Sequence, residues 1–344
     1  MHRIRCKNTC KLETSWFVVI NPRAGGGRSV IDWPTISRLL NKYDIRYTYA
    51  FTEYKYHAVE LTVQAINRGY RNIVAVGGDG TLNEVVNGIF IQKVVNPNQI
   101  TVGVIGVGTG NDWFRMYEIP HNYEECIKAI SNKKIFRQDV GVAEYYESSV
   151  RHKRYFINAS GVGFDADVAR RTNRLKDLGK RGVLLYVLSL LKSLIQYHST
   201  RINVKVDGRH FQDKVFSITI GIGRYNGAGM MQVPFALSDD GLYDVTVIRK
   251  IGKLNVIASL PRLYNGTILK HSRVVALRGK SIEIMSIPGV ELEVDGESLG
   301  ETPLRFTILQ QALSVIVGEQ FKGSNLLAKT HPEPSCINEV PEVY

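Results

Sequence analysis

The stretch that most constrains this chain is Val76-Gly77-Gly78-Asp79-Gly80-Thr81-Leu82-Asn83-Glu84-Val85-Val86-Asn87-Gly88. An apolar run ends in glycines set around one aspartate, and the residues that follow repeat at helical spacing. A chain that passes from strand to helix in so few residues fits an alternating β/α sheet, mainly parallel and covered on both faces. The neighbouring segments agree. Residues 16–20, 45–51, 72–76 and 100–105 read as strands, and helices are predicted over 29–43, 58–68 and 82–90.

Ligands of such sheets bind beyond the carboxyl ends of the strands, where these glycines fall. Glycines let the backbone approach phosphates closely, and the helix start supplies free N–H groups and a positive dipole end. An aspartate among phosphates repels them unless it works through a cation, so Asp79 is a natural Mg²⁺ partner, direct or through water. A plainer reading makes Thr81 a helix cap and Glu84 the partner in a capping box. That accounts for two residues, but not for glycines flanking an acid. Two further loops follow predicted strands: Asn21-Pro22-Arg23-Ala24-Gly25-Gly26-Gly27-Arg28 and Gly106-Val107-Gly108-Thr109-Gly110-Asn111-Asp112-Trp113. Neither has the P-loop ending or the dinucleotide spacing.

After about residue 135 the texture changes. Strands are predicted over 155–159, 202–206, 215–222, 243–248, 281–285 and 290–294, with helices near 183–197 and 254–263. Asp207-Gly208 and Asp295-Gly296 favour tight hairpins. The fold class expected is therefore an N-terminal three-layer α/β domain over 1–140, then a mostly antiparallel β-sandwich domain over 141–321. A polar tail over 322–344 completes the chain.

The chain carries 44 Lys and Arg against 32 Asp and Glu, a formal net charge of +12. That balance favours a polyanionic partner: nucleic acid, an anionic membrane face or a phosphate-bearing substrate. No helix-turn-helix, zinc or aromatic-sheet signature supports nucleic acid. Cys6, Cys10, Cys126 and Cys336 are scattered and read as free thiols. Residues 1–13 lack the apolar core of a signal peptide, and 183–195 is too short and polar to span a bilayer, which predicts a cytoplasmic protein. Arg170, Arg171, Arg174, Lys176, Lys180 and Arg181 precede that apolar run. Together they read either as a membrane-resting surface or as a solvated loop before a core helix. Trp113 and Phe114 read as core residues more readily than as a lipid pocket.

The three glycine-rich loops resemble the nucleotide-binding motifs of the diacylglycerol kinase catalytic family, which includes bacterial lipid kinases and sphingosine kinases. Gly77 to Gly88 matches that family's hallmark throughout, and the resemblance runs from about residue 17 to 317. It implies ATP as phosphate donor with Mg²⁺, and a lipid substrate taken at a membrane surface by a peripherally associated protein. Diacylglycerol is the first acceptor, with a sphingoid base or other lipid alcohol as alternatives. By resemblance the nucleotide contacts are Asn21, Pro22, Ala24, Gly25, Thr52, Gly77, Gly78, Asp79, Gly80, Thr81, Asn83, Glu84 and Thr109. Residues 157–166 resemble the opening of the family's second domain. Leu237, Asp240 and Leu242 resemble a loop holding a structural Mg²⁺, where the local chemistry alone reads as an Asp-Gly turn. Val294-Asp295-Gly296-Glu297 resembles the element bearing the general base, so Glu297 and Asp295 join Asp79 as the catalytic candidates. The family also implies a homodimer. This chain departs from it at Gly26-Gly27-Arg28, where bacterial members often carry a lysine, and at Gly106, where proline is commoner. An NAD kinase shares the Gly-Gly-Asp-Gly turn, but its Gly-Ser-Thr-Ala-Tyr-like element is missing here. A sensing module with a worn site is disfavoured by the retained acids Asp79, Glu84, Asp295 and Glu297.

Overall fold

The computed structural model describes residues 12–107, 112–177 and 183–323, with side chains described up to residue 175 and from residue 190. Two compact units emerge. One comprises residues up to Val140 together with Gln310–Gly323, the other Gly141–Leu309.

The first unit is an α/β sheet. Strands β1 (Trp16–Ile20), β2 (Tyr47–Phe51), β3 (Asn72–Gly77) and β4 (Thr101–Gly106) pair in the order β4-β3-β1-β2, all parallel. β1 and β3 are wholly buried, as expected of strands covered on both faces. The covering helices are α1 (Arg28–Lys42), α2 (His57–Asn67), α3 (Asp79–Ile91), α4 (Asp112–Met116) and α5 (Tyr123–Asn132). Ile36 and Leu40 of α1 and Leu82, Val85, Val86 and Ile89 of α3 are fully buried. Burial of this apolar face, at about 25 cal/mol per Å², holds the helices to the sheet. A fifth parallel strand arrives from the far end of the chain, where Ser314 and Val315 pair with Thr101 and Val102.

The second unit is an antiparallel β-sandwich, matching the expected fold class. It contains β5 (Ile135–Glu147, which enters from the first unit), β6 (Val150–Phe156), β7 (Ala159–Gly163), β8 (Thr200–Val206), β9 (Arg209–Gly221) and β10 (Tyr243–Arg249). β11 (Val274–Gly279), β12 (Ser281–Ser286), β13 (Glu291–Val294) and β14 (Glu297–Ile316, which leaves for the first unit) complete it. One layer runs β11-β10-β9-β7-β13-β14; β8 and β12 join the other ends of the long strands β9 and β14. Alternation puts Ile202, Val204 and Val206 of β8 and Ile282 and Ile284 of β12 into the shared core. Three helices, α6 (Phe164–Asp177), α7 (Val183–Gln196) and α8 (Lys253–Tyr264), accompany this unit. Phe164, Val168, Leu194 and Phe216 form a second small core, with Ile251 and Val256 packed against it. Among the described residues no helix is long and apolar enough to cross a membrane.

Candidate active site

In the first unit, strand register gathers the loops. Ile20 lies beside Phe51 and Val76, and Gly77 beside Gly106, so every strand of β1–β4 ends on one side. Asn21 leaves β1 there. Its N–H donates to the Val76 carbonyl (3.0 Å), its Nδ2 to Thr81 Oγ1 (3.0 Å), and its Oδ1 accepts from the Arg23 N–H (2.9 Å). The first loop is thereby tied to the helix that follows β3. Thr52 is anchored to the same edge by its N–H on the Ile20 carbonyl (2.8 Å). Asp79 opens α3, and its Oδ2 accepts the Asp112 N–H at 2.9 Å, which connects the second loop to the third.

The first loop continues through Pro22 and Ala24 into Gly25, Gly26 and Gly27, with φ of 58°, 74° and 98°. Three successive left-handed residues need glycine, and the loop closes on itself just before α1 with the Gly27 N–H donating to the Ala24 carbonyl (3.0 Å). A Cβ added at Gly26, Gly27 or Gly80 would meet nothing within 4 Å. These loops fit a phosphate group: donors at helix starts, open space in front of them, and Asp79 to work through a cation. Arg28 stands at the first position of α1 with its Nε 3.7 Å from Asp32 Oδ2.

Other parts of the hallmark do different work. The start of α3 is not a capping box: Gly78 is its N-cap, and Thr81 accepts from Asn21. Glu84 instead caps the neighbouring helix, its Oε1 accepting from the Tyr56 N–H (3.1 Å) and Oε2 from the Ala58 N–H (3.2 Å). Asn83 is fully buried, its Oδ1 accepting from Asn87 Nδ2 at 3.0 Å. A Cβ at Gly88 would stand 2.7 Å from both Thr62 Cβ and the Val59 carbonyl, so that glycine permits the close approach of α2 and α3. Trp113 and Phe114 are core residues, with Trp113 Nε1 donating to Gln138 Oε1 at 3.0 Å. Thr109 lies outside the described residues.

In the second unit the hairpin between β13 and β14 turns at Asp295 (φ 46°) and Gly296 (φ 83°). The Asp295 carboxylate accepts three backbone N–H groups: Ile157 on Oδ2 (3.0 Å), Asn158 (3.0 Å) and Ala159 (3.1 Å) on Oδ1. The other Asp-Gly turn is built alike, with the Asp207 carboxylate accepting from Lys280 and Ser281 N–H groups. Asp295 thus fastens a turn, and Glu297 is the half-buried carboxylate that begins β14. Glu293, only 6% exposed, supports this turn by accepting the Gly296 N–H on Oε2 at 2.8 Å. Burial pushes its carboxyl well above the usual range, and the Asp165 and Asp295 carboxylates push the same way. Asp165 is also raised by burial, although Ser217, Thr219 and Gln232 side chains all donate to its Oδ2. Sequence reasoning gave Glu293 no role. Its place in a strand was legible, but nothing local marks its carboxylate as buried.

The loop of Leu237, Asp240 and Leu242 is arranged differently from a cation cage. Asp240 Oδ1 accepts the Leu242 N–H at 2.9 Å, and its Oδ2 pairs with the Arg278 guanidinium, which also reaches Asp244 (3.4 Å). Both oxygens of the Asp240 carboxylate are thus engaged by the protein's own donors. Among the described residues no cluster of three or more His, Cys, Asp or Glu side chains is suited to hold one. Of the basic series ahead of α7, Arg170 and Arg171 pair with Asp167, and Arg170 also with Glu291. The side chains of Lys176, Lys180 and Arg181 lie outside the described set. Cys126 is buried, which pushes its thiol up to about 12, and its Sγ donates to the Pro120 carbonyl.

Comparison with known proteins agrees with both units. A family model described as "Diacylglycerol kinase catalytic domain" matches residues 15–143, and one described as "YegS C-terminal NAD kinase beta sandwich-like domain" matches 158–317. The chain is 28% identical to a diacylglycerol kinase of Staphylococcus aureus (strain bovine RF122 / ET3-1) over 328 residues, 94% of this chain and 98% of that protein. It is 28% identical to a diacylglycerol kinase of Staphylococcus haemolyticus over 330 residues, covering 94% of each. The fold is shared with a solved diacylglycerol kinase structure from Bacillus anthracis str. Sterne (TM-score 0.67, 20% identity, 90% of this chain and 98% of that one). With both its units accounted for in this way, the chain belongs to the diacylglycerol kinase family of lipid kinases.

Proposed function

We propose that the chain transfers the γ-phosphate of ATP, in the presence of Mg²⁺, to the hydroxyl of a membrane lipid, with diacylglycerol as acceptor and phosphatidic acid as product. The observation that carries this reading is the division of labour in the Asp-Gly-Glu turn. Asp295 accepts three backbone N–H groups and so fastens the turn, and Glu297, two residues on, is the carboxylate assigned to take the acceptor's proton. A lipid hydroxyl loses that proton as it attacks phosphorus, and a positioned base contributes about 10²–10⁴-fold.

The first unit supports the donor side. Backbone N–H groups at the starts of α1 and α3 would hold phosphate oxygens, with Asn21 bracing one loop against the other. Mg²⁺, when bound, neutralises phosphate charge, and Asp79 is the residue that would hold it, directly or through water. Glu84 and Asn83 act indirectly, through the packing of α2 and α3.

The test is to incubate purified protein with Mg²⁺, labelled ATP and mixed micelles of diacylglycerol, sphingosine or another lipid alcohol. Label entering diacylglycerol, and lost in Asp79→Ala and Glu297→Gln, is the expected result. Label entering sphingosine alone would change the acceptor. Label in no lipid, with ATP bound, would overturn the proposal.

A further inference from the structure

The helix α8 has its apolar residues on two sides. Val256, Leu260 and Leu263 are partly buried toward the unit, with Ser259 buried between them. On the opposite side Leu254, Ile257, Pro261 and Tyr264 recur at helical spacing, all exposed, with Leu254 at 82%. The end of α7 lies against the start of α8, because Lys253 Nζ donates to the Ile195 carbonyl. There Leu191 and Ile195, one turn apart, are exposed too, Ile195 at 67%. Both helices rest on the same small core around Phe164 and Phe216, so their outer faces form one surface of the second unit.

The segments that carry the two helices are poor in acids. Residues 245–282 hold eight lysines and arginines and no aspartate or glutamate, and residues 178–206 hold five and no acid; of these, Arg249, Arg278 and Lys205 are paired with Asp213, Asp240 and Glu283 from elsewhere in the chain. On the helices themselves Lys192, Lys253 and Arg262 flank the apolar stripe and are exposed. The core of a protein–protein interface is depleted of lysine. A helix lying in a bilayer surface has the opposite character: leucine and isoleucine into the acyl boundary, tyrosine at headgroup level, and cations along the flanks.

We propose that the outer faces of α7 and α8 form the docking surface for an anionic phospholipid bilayer. This rests on the lipid-kinase reading only in making that bilayer the source of the acceptor. The surface differs from the basic series at 170–181, in which Arg170 and Arg171 are already paired to acids.

The test is co-sedimentation of the full chain with vesicles of phosphatidylcholine alone or mixed with phosphatidylglycerol, for the wild type and a Leu254→Ser/Ile195→Ser double variant. Both positions are exposed, and equal melting temperatures check that the variant folds. The wild type is expected to pellet with the mixed vesicles, not with phosphatidylcholine alone, and less so as salt rises. The variant should partition at least about tenfold more weakly. It should lose phosphorylation of vesicle-embedded diacylglycerol but keep that of a dispersed short-chain diacylglycerol. Equal partitioning of variant and wild type, or wild-type binding indifferent to phosphatidylglycerol, overturns the proposal. So does a wild-type dimer that the double substitution splits, since the surface would then join two copies. Vesicle binding without phosphorylation of any lipid keeps the docking surface and discards the kinase reading. Phosphorylation of the short-chain lipid without vesicle binding does the reverse.

Discussion

At the scale of single residues, the two acids of the Asp-Gly-Glu turn are separable by measurement. Asp295→Asn leaves three backbone N–H groups with a weaker, one-oxygen acceptor. It is expected to lower stability by about 1–3 kcal/mol in urea denaturation. Glu297→Gln is expected to keep the melting temperature and lose about 10²–10⁴ in kcat. Arg278 gives a pH-dependent prediction. Burial raises Asp244 to about 6, partly countered by Arg278 and reinforced by Asp240. A carboxyl whose folded pKa lies above its unfolded value favours the fold when protonated. That share of stability is full below about pH 4 and is lost as the pH rises through about 6. Arg278→Gln removes the cation that holds Asp240 and Asp244 down, so both rise further. The variant should lose about 1–3 kcal/mol at neutral pH and distinctly less near pH 5, read from denaturation at the two pH values.

At the scale of elements, one motif divides into two functions. Gly80 borders open space, whereas Gly88 lets two helices touch. Gly80→Ala is expected to leave stability within about 0.5 kcal/mol and to weaken ATP binding, read as a raised KM for ATP. Gly88→Ala drives a methyl against backbone and should cost about 1–3 kcal/mol in thermal melts. The strand–glycine–helix passages of the first unit were legible because apolar runs met turn residues abruptly, and 16–20, 72–76 and 100–105 are strands nearly as read. Helix α6 was not, since much of its exposed side is polar or charged and its buried side rests on few apolar residues such as Phe164 and Val168. Strand β14 was hidden for another reason. Pro303 and the pair Gln310-Gln311 interrupt its apolar pattern, the latter where Gln311 takes φ 48° and its N–H meets Asp139 Oδ1. The site followed the same rule. Loops with unusual glycine content were visible, while Glu84 capping the neighbouring helix α2 and Asn83 buried within its own depend on tertiary packing that no local pattern carries.

At the scale of the whole molecule, the first unit is discontinuous in sequence. Residues 310–323 leave the β-sandwich to pair Ser314 and Val315 with β4, bond the Val317 N–H to the Lys134 carbonyl, and place Phe321 against Tyr117 (5.4 Å) and Phe136 (5.0 Å). A fragment of residues 1–140 is therefore expected to melt lower and less cooperatively than the same fragment joined by a flexible linker to 310–323. Circular dichroism on both would check it. The same return strand sets an order of events at the ribosome. When β4 emerges, its outer edge has no partner, and none exists until nearly the whole β-sandwich has been synthesised. At about 5–20 residues per second that edge waits on the order of ten seconds or more. An unpaired, apolar parallel edge is the kind of surface that nascent chains aggregate through and that holding chaperones cover. The N-terminal half of this protein is translated first and completed last.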